Sequence, residues 1–125
     1  MPSKILVVDD ERAVCKILRL FLEDKGYSVV EAYSGDEAIE VYKRESPDVV
    51  LLDIRMPGKD GVETLHELKE LDPEASVIMV TAVNEEDIAK EAMDEGAFEY
   101  ITKPINREYL EMALMTKLAL LGKDD

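Results

Sequence analysis

The sequence predicts an α/β domain built around one doubly wound parallel β-sheet. Five short apolar runs alternate with longer segments that have the period of an α-helix. The runs that begin at Ile5, Val49 and Val77 are apolar at successive positions, which is typical of parallel strands covered on both faces. Because crossover connections are right-handed, five strands and five helices are most simply joined as an open sheet with helices on both sides. The runs are Ile5–Val8, Val29–Val30, Val49–Leu52, Val77–Val80 and Tyr100–Ile101.

The chain is long enough for one domain and too short for two. It has 125 residues, of which 46% are hydrophobic, and can bury one core between two layers of helices. Its 29 acidic and 15 basic residues give a formal net charge of -14, which disfavours direct binding to nucleic acids or anionic membranes. No apolar run approaches the length of a membrane span, and no cleavable signal region precedes Ile5. We therefore expect a cytoplasmic protein.

The first predicted helix carries an apolar stripe and ends before Gly26, which suits a left-handed helix cap. Cys15 is the single cysteine, so it cannot form an internal disulfide. It lies off the predicted stripe, and we therefore expect it to be a surface thiol. The residues of the stripe recur at three- and four-residue spacing and are Val14, Ile17, Leu18, Phe21 and Leu22.

The second and third helices are bounded by capping and helix-breaking residues. Ser34 and Glu37 form a capping-box pattern, in which each side chain is expected to accept a hydrogen bond from the other's backbone amide. The second helix stops before Pro47, because the residue before a proline avoids helical backbone angles. Asp60 is expected to open the third helix, and Asp72, which precedes a proline, to close it.

Asparagine residues are placed to cap the last two helices. Asn84 is expected to cap the fourth helix, which ends at Gly96, and Asn106 the fifth, which runs to about Leu121. Residues 1–121 then form one domain, and residues 122–125 are a tail or the start of a linker. The inward-facing residues of the fourth helix are Ile88, Ala92 and Met93.

Polar residues follow four of the predicted strands at the point where each strand ends. Asp9 and Asp10 follow the first strand, Asp53 ends the third, Thr81 follows the fourth and Lys103 follows the fifth. Ligands of open parallel sheets bind beyond these carboxyl ends. An isolated Asp9-Asp10 pair would most simply complement the dipole of a helix start. Asp53 changes this interpretation, because it adds a third carboxylate at the end of a central strand.

Three carboxylates in one pocket require a cation. Two carboxylates about 4 Å apart repel each other by roughly 4 kcal/mol at an effective dielectric constant near 20. Oxygen ligands without a nearby histidine or cysteine indicate a hard ion, and a site with few carboxylates and room for water favours Mg²⁺ over Ca²⁺. Mg²⁺ beside an aspartate, a lysine and a threonine hydroxyl is suited to phosphoryl transfer, with Asp53 as the nucleophile.

Four ordered blocks of sequence, within a match from Lys4 to about Leu121, resemble the receiver domain of two-component response regulators. The resemblance implies a flavodoxin-like sheet of five parallel strands in the order 2-1-3-4-5 with five helices. It also implies that the chain is a signalling phosphoacceptor, which catalyses only its own phosphorylation and dephosphorylation. The blocks are Val7–Glu11, Leu52–Gly61, Val80–Ala82 and Tyr100–Pro104.

The resemblance assigns a role to each residue of the predicted pocket. Asp53 would take the phosphoryl group from a phosphohistidine of a sensor histidine kinase or phosphotransfer protein. Asp10, Asp53 and the backbone carbonyl of Arg55 would bind Mg²⁺ directly, and Asp9 would hold the ion through a water molecule. Lys103 would pair with Asp53 at rest and with the phosphoryl oxygens afterwards.

The resemblance further implies a switch beside the pocket. The Thr81 hydroxyl and the Ala82 amide would bind the phosphoryl group, and Tyr100 would turn inward as Thr81 moves. A cis peptide bond is expected before Pro104. Phosphorylation would then change the surface formed by the fourth helix, fifth strand and fifth helix, where a downstream effector or a covalent output domain would bind.

The apolar arc of the fifth helix is wider than one buried stripe. Either the core covers this whole arc, or part of it forms a face for a homodimer or another partner. The stripe consists of Leu110, Leu114, Leu118 and Leu121. The residues that widen the arc are Tyr109, Met112, Met115 and Ala119.

Two other functions are compatible with this fold class. A flavodoxin-like electron carrier needs a phosphate-binding loop with free amides, whereas here the acidic residues 9–11 in the first loop would repel a phosphate. An aspartyl-phosphate hydrolase would have its nucleophile at the first strand with a second acid two residues later, whereas here the acids at that strand are adjacent. Within the favoured class, the chain is either a free-standing regulator or the receiver of a longer protein.

Overall fold

Five parallel strands form one sheet in the computed structural model, which describes residues 2–123 apart from the side chain of Val83. The order of the strands across the sheet is 2-1-3-4-5, which confirms the prediction. The first strand therefore lies beside the third, and the third beside the fourth. The strands are β1 (Lys4–Val8), β2 (Ser28–Ala32), β3 (Val49–Asp53), β4 (Val77–Thr81) and β5 (Glu99–Thr102).

Helices cover both faces of the sheet. The first and fifth helices pack on one face, and the second, third and fourth pack on the other. None of the helices within residues 2–123 is both long enough and apolar enough to cross a membrane. The helices are α1 (Arg12–Asp24), α2 (Gly35–Glu45), α3 (Gly61–Leu71), α4 (Glu86–Asp94) and α5 (Arg107–Leu120), and a 3₁₀ turn (Val83–Glu85) precedes α4.

Alternate residues of the central strands contribute to opposite layers of the core. In β1, Leu6 and Val8 pack with residues of α2, α3 and α4, whereas Ile5 and Val7 pack with residues of α1 and α5. All five residues of β3 are buried. Full burial of one such apolar side chain contributes about 1.5–3 kcal/mol, so both faces of the central strands favour apolar residues. This explains why the runs are apolar at successive positions.

Most of the predicted helix ends are confirmed. Asp60 accepts a hydrogen bond from the Glu63 amide, and the Glu63 side chain accepts one from the Asp60 amide. Asn106 accepts a hydrogen bond from the amide three residues later. Gly26 and Gly96 have φ angles of +96° and +106°, which side-chain-bearing residues rarely adopt.

Two predicted caps are wrong in detail. Ser34 accepts the Glu37 amide at 3.1 Å, but the Glu37 carboxylate accepts the amide of Tyr33 instead of that of Ser34. Asn84 does not cap the fourth helix, because it lies inside the 3₁₀ turn and α4 begins two residues later. The Glu85 side chain at the start of α4 contacts Arg55 rather than capping the helix.

The predicted buried stripe of α1 is confirmed at Leu18 and Leu22 but wrong at Ile17 and Cys15. Cys15 is fully buried, whereas Ile17 is 55% exposed. Cys15, Leu18 and Leu22 face the sheet, and Ile17 lies about 200° around the helix from Cys15. The thiol of Cys15 donates a hydrogen bond to the backbone carbonyl of Asp9 at 3.4 Å. Cys15 is therefore a core residue that contacts the end of β1, and not a surface thiol.

The widened arc of α5 is exposed rather than covered by the core. The sheet covers only one side of this helix, so of the two alternatives that the sequence leaves open, burial of the whole arc is wrong. Its buried side carries Leu110, Leu114 and Leu118. The exposed apolar residues at this helix include Tyr109, Met112, Met115 and Leu121. Of the predicted tail, residues 124 and 125 lie outside the described residues.

Cys15 is expected to be unreactive in the native protein. Burial, followed by the negative charge of Asp9, raises the pKa of its thiol to about 12, so little thiolate forms at pH 8. Disulfide exchange with a chromogenic reagent should be at least about 100-fold slower in native protein than in urea. In a Cys15→Ser/Ile17→Cys control, the exposed thiol should react quickly without urea. Equal native rates for the wild type and this control would contradict the assignment.

Candidate functional site

Three carboxylates meet at the carboxyl edge of the sheet. Val8 is the neighbour of Leu52 in the paired strands β1 and β3, so the next residues, Asp9 and Asp53, lie side by side. Asp10 completes the group, and one carboxylate oxygen from each aspartate lies within 4.8 Å of the others. The structure thus brings together the three acids that the sequence pattern predicts at one site.

The two inner carboxylates are buried and mutually repulsive. Asp9 is 3% exposed and Asp53 is 4% exposed, whereas Asp10 is exposed. Burial and then the charge of Asp9 raise the pKa of Asp53 from 3.8 to about 6, against the opposing effects of Lys103 and the Arg55 amide. That amide donates to Asp53 Oδ1 at 3.2 Å. Asp53 is therefore mostly ionised at neutral pH, although burial and the charge of Asp9 make its charged form less favourable than in water.

Lys103 is the cation that faces the inner carboxylates. Its Nζ lies 3.1 Å from Asp53 Oδ2 and 3.7 Å from Asp9 Oδ2. Burial alone would lower the pKa of Lys103, but the hydrogen bond and charge of Asp53 outweigh it and raise that pKa. The Lys103 amide donates to the Thr81 carbonyl at 2.7 Å, and the peptide bond before Pro104 is cis. Lys103, which follows β5, is thus positioned beside the ends of β1 and β3.

Thr81 ends β4 beside this pocket, but its hydroxyl is directed elsewhere. Thr81 is 1% exposed, and its Oγ1 lies 3.2 Å from the Ala82 carbonyl oxygen and 3.4 Å from the Glu85 carbonyl oxygen. A hydroxyl has one proton, so these carbonyls compete with any acceptor near Asp53. Ala82, which follows Thr81, is partly exposed.

Tyr100 lies outside the carboxylate pocket. It is half-buried in β5, where it is paired with Met79 of β4 and packs against the core layer that contains α2, α3 and α4. It therefore lies on the side of the sheet where α4 packs, next to the strand that carries Thr81.

An ion pair between Arg55 and Glu85 was missed by sequence reasoning. Arg55 Nε contacts Glu85 Oε2, and this links the loop after β3 to the 3₁₀ turn after β4. Glu85 is only 6% exposed, although an acid in the run of residues 85–87 would ordinarily be assigned to a solvated helix start. Only the pairing of Asp53 with Val80 in neighbouring strands signals that these two loops lie together.

The donor set of the pocket fits a divalent cation that prefers oxygen. Each of the three aspartates offers a carboxylate oxygen, and the described residues that form this group include no histidine or cysteine. A cation among them would favour the charged form of Asp53 and so offset the burial and the Asp9 charge that raise its pKa. The pocket therefore could hold a metal ion between Asp9, Asp10 and Asp53.

Comparisons with known proteins identify close relatives. Residues 5–115 match the family described as the response regulator receiver domain. The chain is 42% identical over 107 residues to the chemotaxis protein CheY of Halobacterium salinarum, and the match covers 86% of this chain and 89% of that protein. A response regulator receiver domain protein from Clostridium thermocellum has a TM-score of 0.92 and 35% identity, with 96% of this chain and 97% of that chain covered.

One relative is much longer than this chain. The transcriptional regulatory protein ZraR of Klebsiella oxytoca is 42% identical over 115 residues. The match covers 92% of this chain but 26% of ZraR, so the chain spans about a quarter of the length of that protein.

Replacement of Asp53 by asparagine should stabilise the protein at neutral pH. The raised pKa lets the folded state keep a proton on Asp53 between pH 3.8 and about 6, where the unfolded chain has released it. Ionisation of Asp53 therefore destabilises the fold as the pH rises through this range, and the contribution disappears below it. Without divalent ions, Asp53→Asn should raise the free energy of unfolding by about 2 kcal/mol at pH 7.5 and by much less at pH 4.

Urea denaturation at the two pH values measures this effect. Glu91→Gln is the matched control, because it removes one negative charge at an exposed position of α4. If Asp53→Asn raised the free energy of unfolding equally at both pH values, the destabilisation assigned to ionised Asp53 would be contradicted. The same holds if Glu91→Gln raised it as much as Asp53→Asn.

Proposed function

Because this chain belongs to the response regulator receiver domain family, a family of signalling domains, we propose that Asp53 accepts a phosphoryl group from a phosphohistidine. The donor is a sensor histidine kinase or a phosphotransfer protein. The observation that carries this proposal is the burial of Asp53 against two further carboxylates and Lys103 at the carboxyl edge of the sheet. A cytoplasmic location accords with such a donor.

Asp53 acts as the nucleophile in the transfer. One of its carboxylate oxygens attacks phosphorus while the bond from phosphorus to the donor imidazole nitrogen breaks. The electron pair of that bond leaves with the imidazole, and Asp53 becomes an acyl phosphate. Because its pKa is about 6, Asp53 is mostly ionised at pH 7 or above and ready to react. Lys103, 3.1 Å from its carboxylate, neutralises the oxygens of the transferred group.

Mg²⁺ is the cofactor that the donor set suits. Asp10, Asp53 and the Arg55 backbone carbonyl would bind the ion directly, and Asp9 would hold it through water. When bound, Mg²⁺ neutralises the phosphoryl oxygens and favours their approach to the acidic pocket. Asp9 has a second task, since its Oδ1 accepts the Glu11 amide at 2.9 Å and so fixes the loop that carries Asp10.

Thr81, Ala82 and Tyr100 form the proposed switch. After transfer, the Thr81 hydroxyl leaves the Ala82 and Glu85 carbonyls and donates to a phosphoryl oxygen, together with the Ala82 amide. Thr81 is almost fully buried, so its movement vacates space in the core. Tyr100, half-buried on the next strand, turns towards that space. The switch thus converts a change of charge into a change of packing near α4.

The proposed output surface consists of α4, β5 and α5. Met112 is 65% exposed and Met115 is 56% exposed on α5, beside Tyr109, whose hydroxyl donates to Glu99 of β5 at 3.2 Å. Exposed apolar side chains of this size favour contact with a partner. The partner is a downstream effector or a covalent output domain, and a second copy of this chain is the alternative. The net charge of -14 argues against direct contact of this domain with nucleic acid.

The relatives differ in the kind of output. One is named a chemotaxis protein and matches this chain over most of its length, whereas the other is named a transcriptional regulatory protein and is about four times as long as the match. A flavodoxin-like electron carrier and an aspartyl-phosphate hydrolase are both disfavoured. Three carboxylates stand where the carrier would bind phosphate, and the central acid lies on β3 rather than β1.

Asp53 should be the residue that becomes phosphorylated. Incubation with acetyl phosphate and Mg²⁺ should add one phosphoryl group to the wild type, as measured by intact mass. Asp53→Asn should gain none, because an amide is not a nucleophile for this transfer, and chelation of Mg²⁺ should abolish the reaction. The exposed control Asp87→Asn should react like the wild type. Modification of Asp53→Asn to the wild-type extent would overturn the proposal.

A further inference from the structure

Glu85 contacts both loops that border Asp53, the proposed phosphoacceptor. Its side chain contacts Arg55 in the loop after β3, and its backbone carbonyl accepts a hydrogen bond from Thr81 at the end of β4. Its amide donates to the Ala82 carbonyl at 3.1 Å, which closes the 3₁₀ turn before α4. One residue thus joins the Asp53 loop, the Thr81 hydroxyl and the start of α4.

The two partners of the ion pair differ sharply in exposure. Glu85 is 6% exposed, whereas the Arg55 side chain is 74% exposed. A carboxylate in such a buried place needs its cation, because removal of one partner leaves an uncompensated buried charge. Because the Arg55 side chain is exposed, water can solvate it when it leaves the pair. Glu85 would then be a buried charge without a cation, so it would have to move towards solvent. The pair therefore stabilises one particular position of the 3₁₀ turn.

This position of the turn keeps the Thr81 hydroxyl occupied. The Glu85 and Ala82 carbonyls share the single hydroxyl proton at 3.4 Å and 3.2 Å. For Thr81 to donate to a group on Asp53, it must leave both carbonyls. Displacement of the turn removes the Glu85 acceptor and makes this change easier.

We propose that Glu85 is a positioning residue that, through its ion pair with Arg55, holds the turn before α4 and the Thr81 hydroxyl in the unphosphorylated arrangement. This proposal rests on the proposed function of Asp53. Phosphorylation adds negative charge to Asp53, whose carboxylate is bonded to the Arg55 amide. That charge competes with Glu85 for the guanidinium of Arg55, which forms strong paired hydrogen bonds to phosphoryl oxygens. Loss of Arg55 destabilises buried Glu85, and the turn and Thr81 are released together.

Truncation of Glu85 should favour the switched arrangement before any phosphorylation. Apparent affinity for a ligand rises with the fraction of protein in the competent state. Glu85→Ala should therefore bind beryllium fluoride, a mimic of the phosphoryl group, roughly tenfold more tightly than the wild type in the presence of Mg²⁺. Its affinity for Mg²⁺ alone should stay within about twofold of the wild-type value, because Glu85 does not contribute to the proposed metal site. A merely structural defect would weaken both affinities.

Glu86→Ala is the matched control, because it removes the same charge from the next residue, which is exposed. It should bind beryllium fluoride like the wild type. Glu85→Gln keeps an oxygen that can accept from Arg55 Nε, so its affinity should lie between those of the wild type and Glu85→Ala, about threefold above the wild type. If Glu85→Ala does not fold, Glu85→Gln decides the question.

Calorimetric titration of each variant with Mg²⁺ and then with beryllium fluoride measures both affinities. Wild-type affinity for beryllium fluoride in both Glu85 variants, or equal tightening in Glu86→Ala, would overturn the role of Glu85. Failure of the proposed function is a different outcome. In that case the wild type itself would neither bind beryllium fluoride nor be modified at Asp53 by acetyl phosphate.

Discussion

Burial of two neighbouring carboxylates, Asp9 and Asp53, sets the chemistry at the carboxyl edge of this sheet. The buried strands β1 and β3 fix the inner two carboxylates side by side, so they cannot separate without loss of the core. Lys103 supplies one positive charge against three negative ones. Burial, followed by the charge of Asp9, raises the pKa of Asp53 to about 6 even with Lys103 beside it. In the proposed function, a bound divalent cation would restore the balance of charge and allow the pocket to receive a dianionic group.

The path from this pocket to the surface follows the order of the strands. Because β4 lies beside β3, the loop after Asp53 contacts the turn that leads into α4. The Thr81 hydroxyl is bonded to Glu85 of that turn, so in the proposed switch a change of charge at Asp53 would act on a short segment rather than on the whole sheet. β5, with Tyr100, lies on the other side of β4 and adjoins the exposed face of α5. The proposed coupling therefore requires only the small movement of a packed hydroxyl and a turn.

Local sequence patterns account for the fold and the acidic pocket, because each strand carries its own apolar signal and sheet topology brings the strand ends together. The stripe predicted for α1 is correct at Leu18 and Leu22 but wrong at Ile17 and Cys15, because apolar residues cover more than one side of this helix. Asn84 has the capping propensity of a helix start, but it lies inside the 3₁₀ turn, where the neighbouring Glu85 pairs with Arg55. That pair joins residues 30 positions apart, which no local pattern encodes.

The most direct test is the affinity of the protein for Mg²⁺ as a function of pH, measured by calorimetry. Binding requires Asp53 without its proton, so the affinity should be nearly constant above the pKa of about 6 and should fall about tenfold for each pH unit below it. Asp53→Asn should bind much more weakly at neutral pH and should lose this part of the pH dependence. If Mg²⁺ bound equally well to the wild type and Asp53→Asn, with the same affinity at pH 5 and pH 7.5, the account of three carboxylates united by a cation would be contradicted.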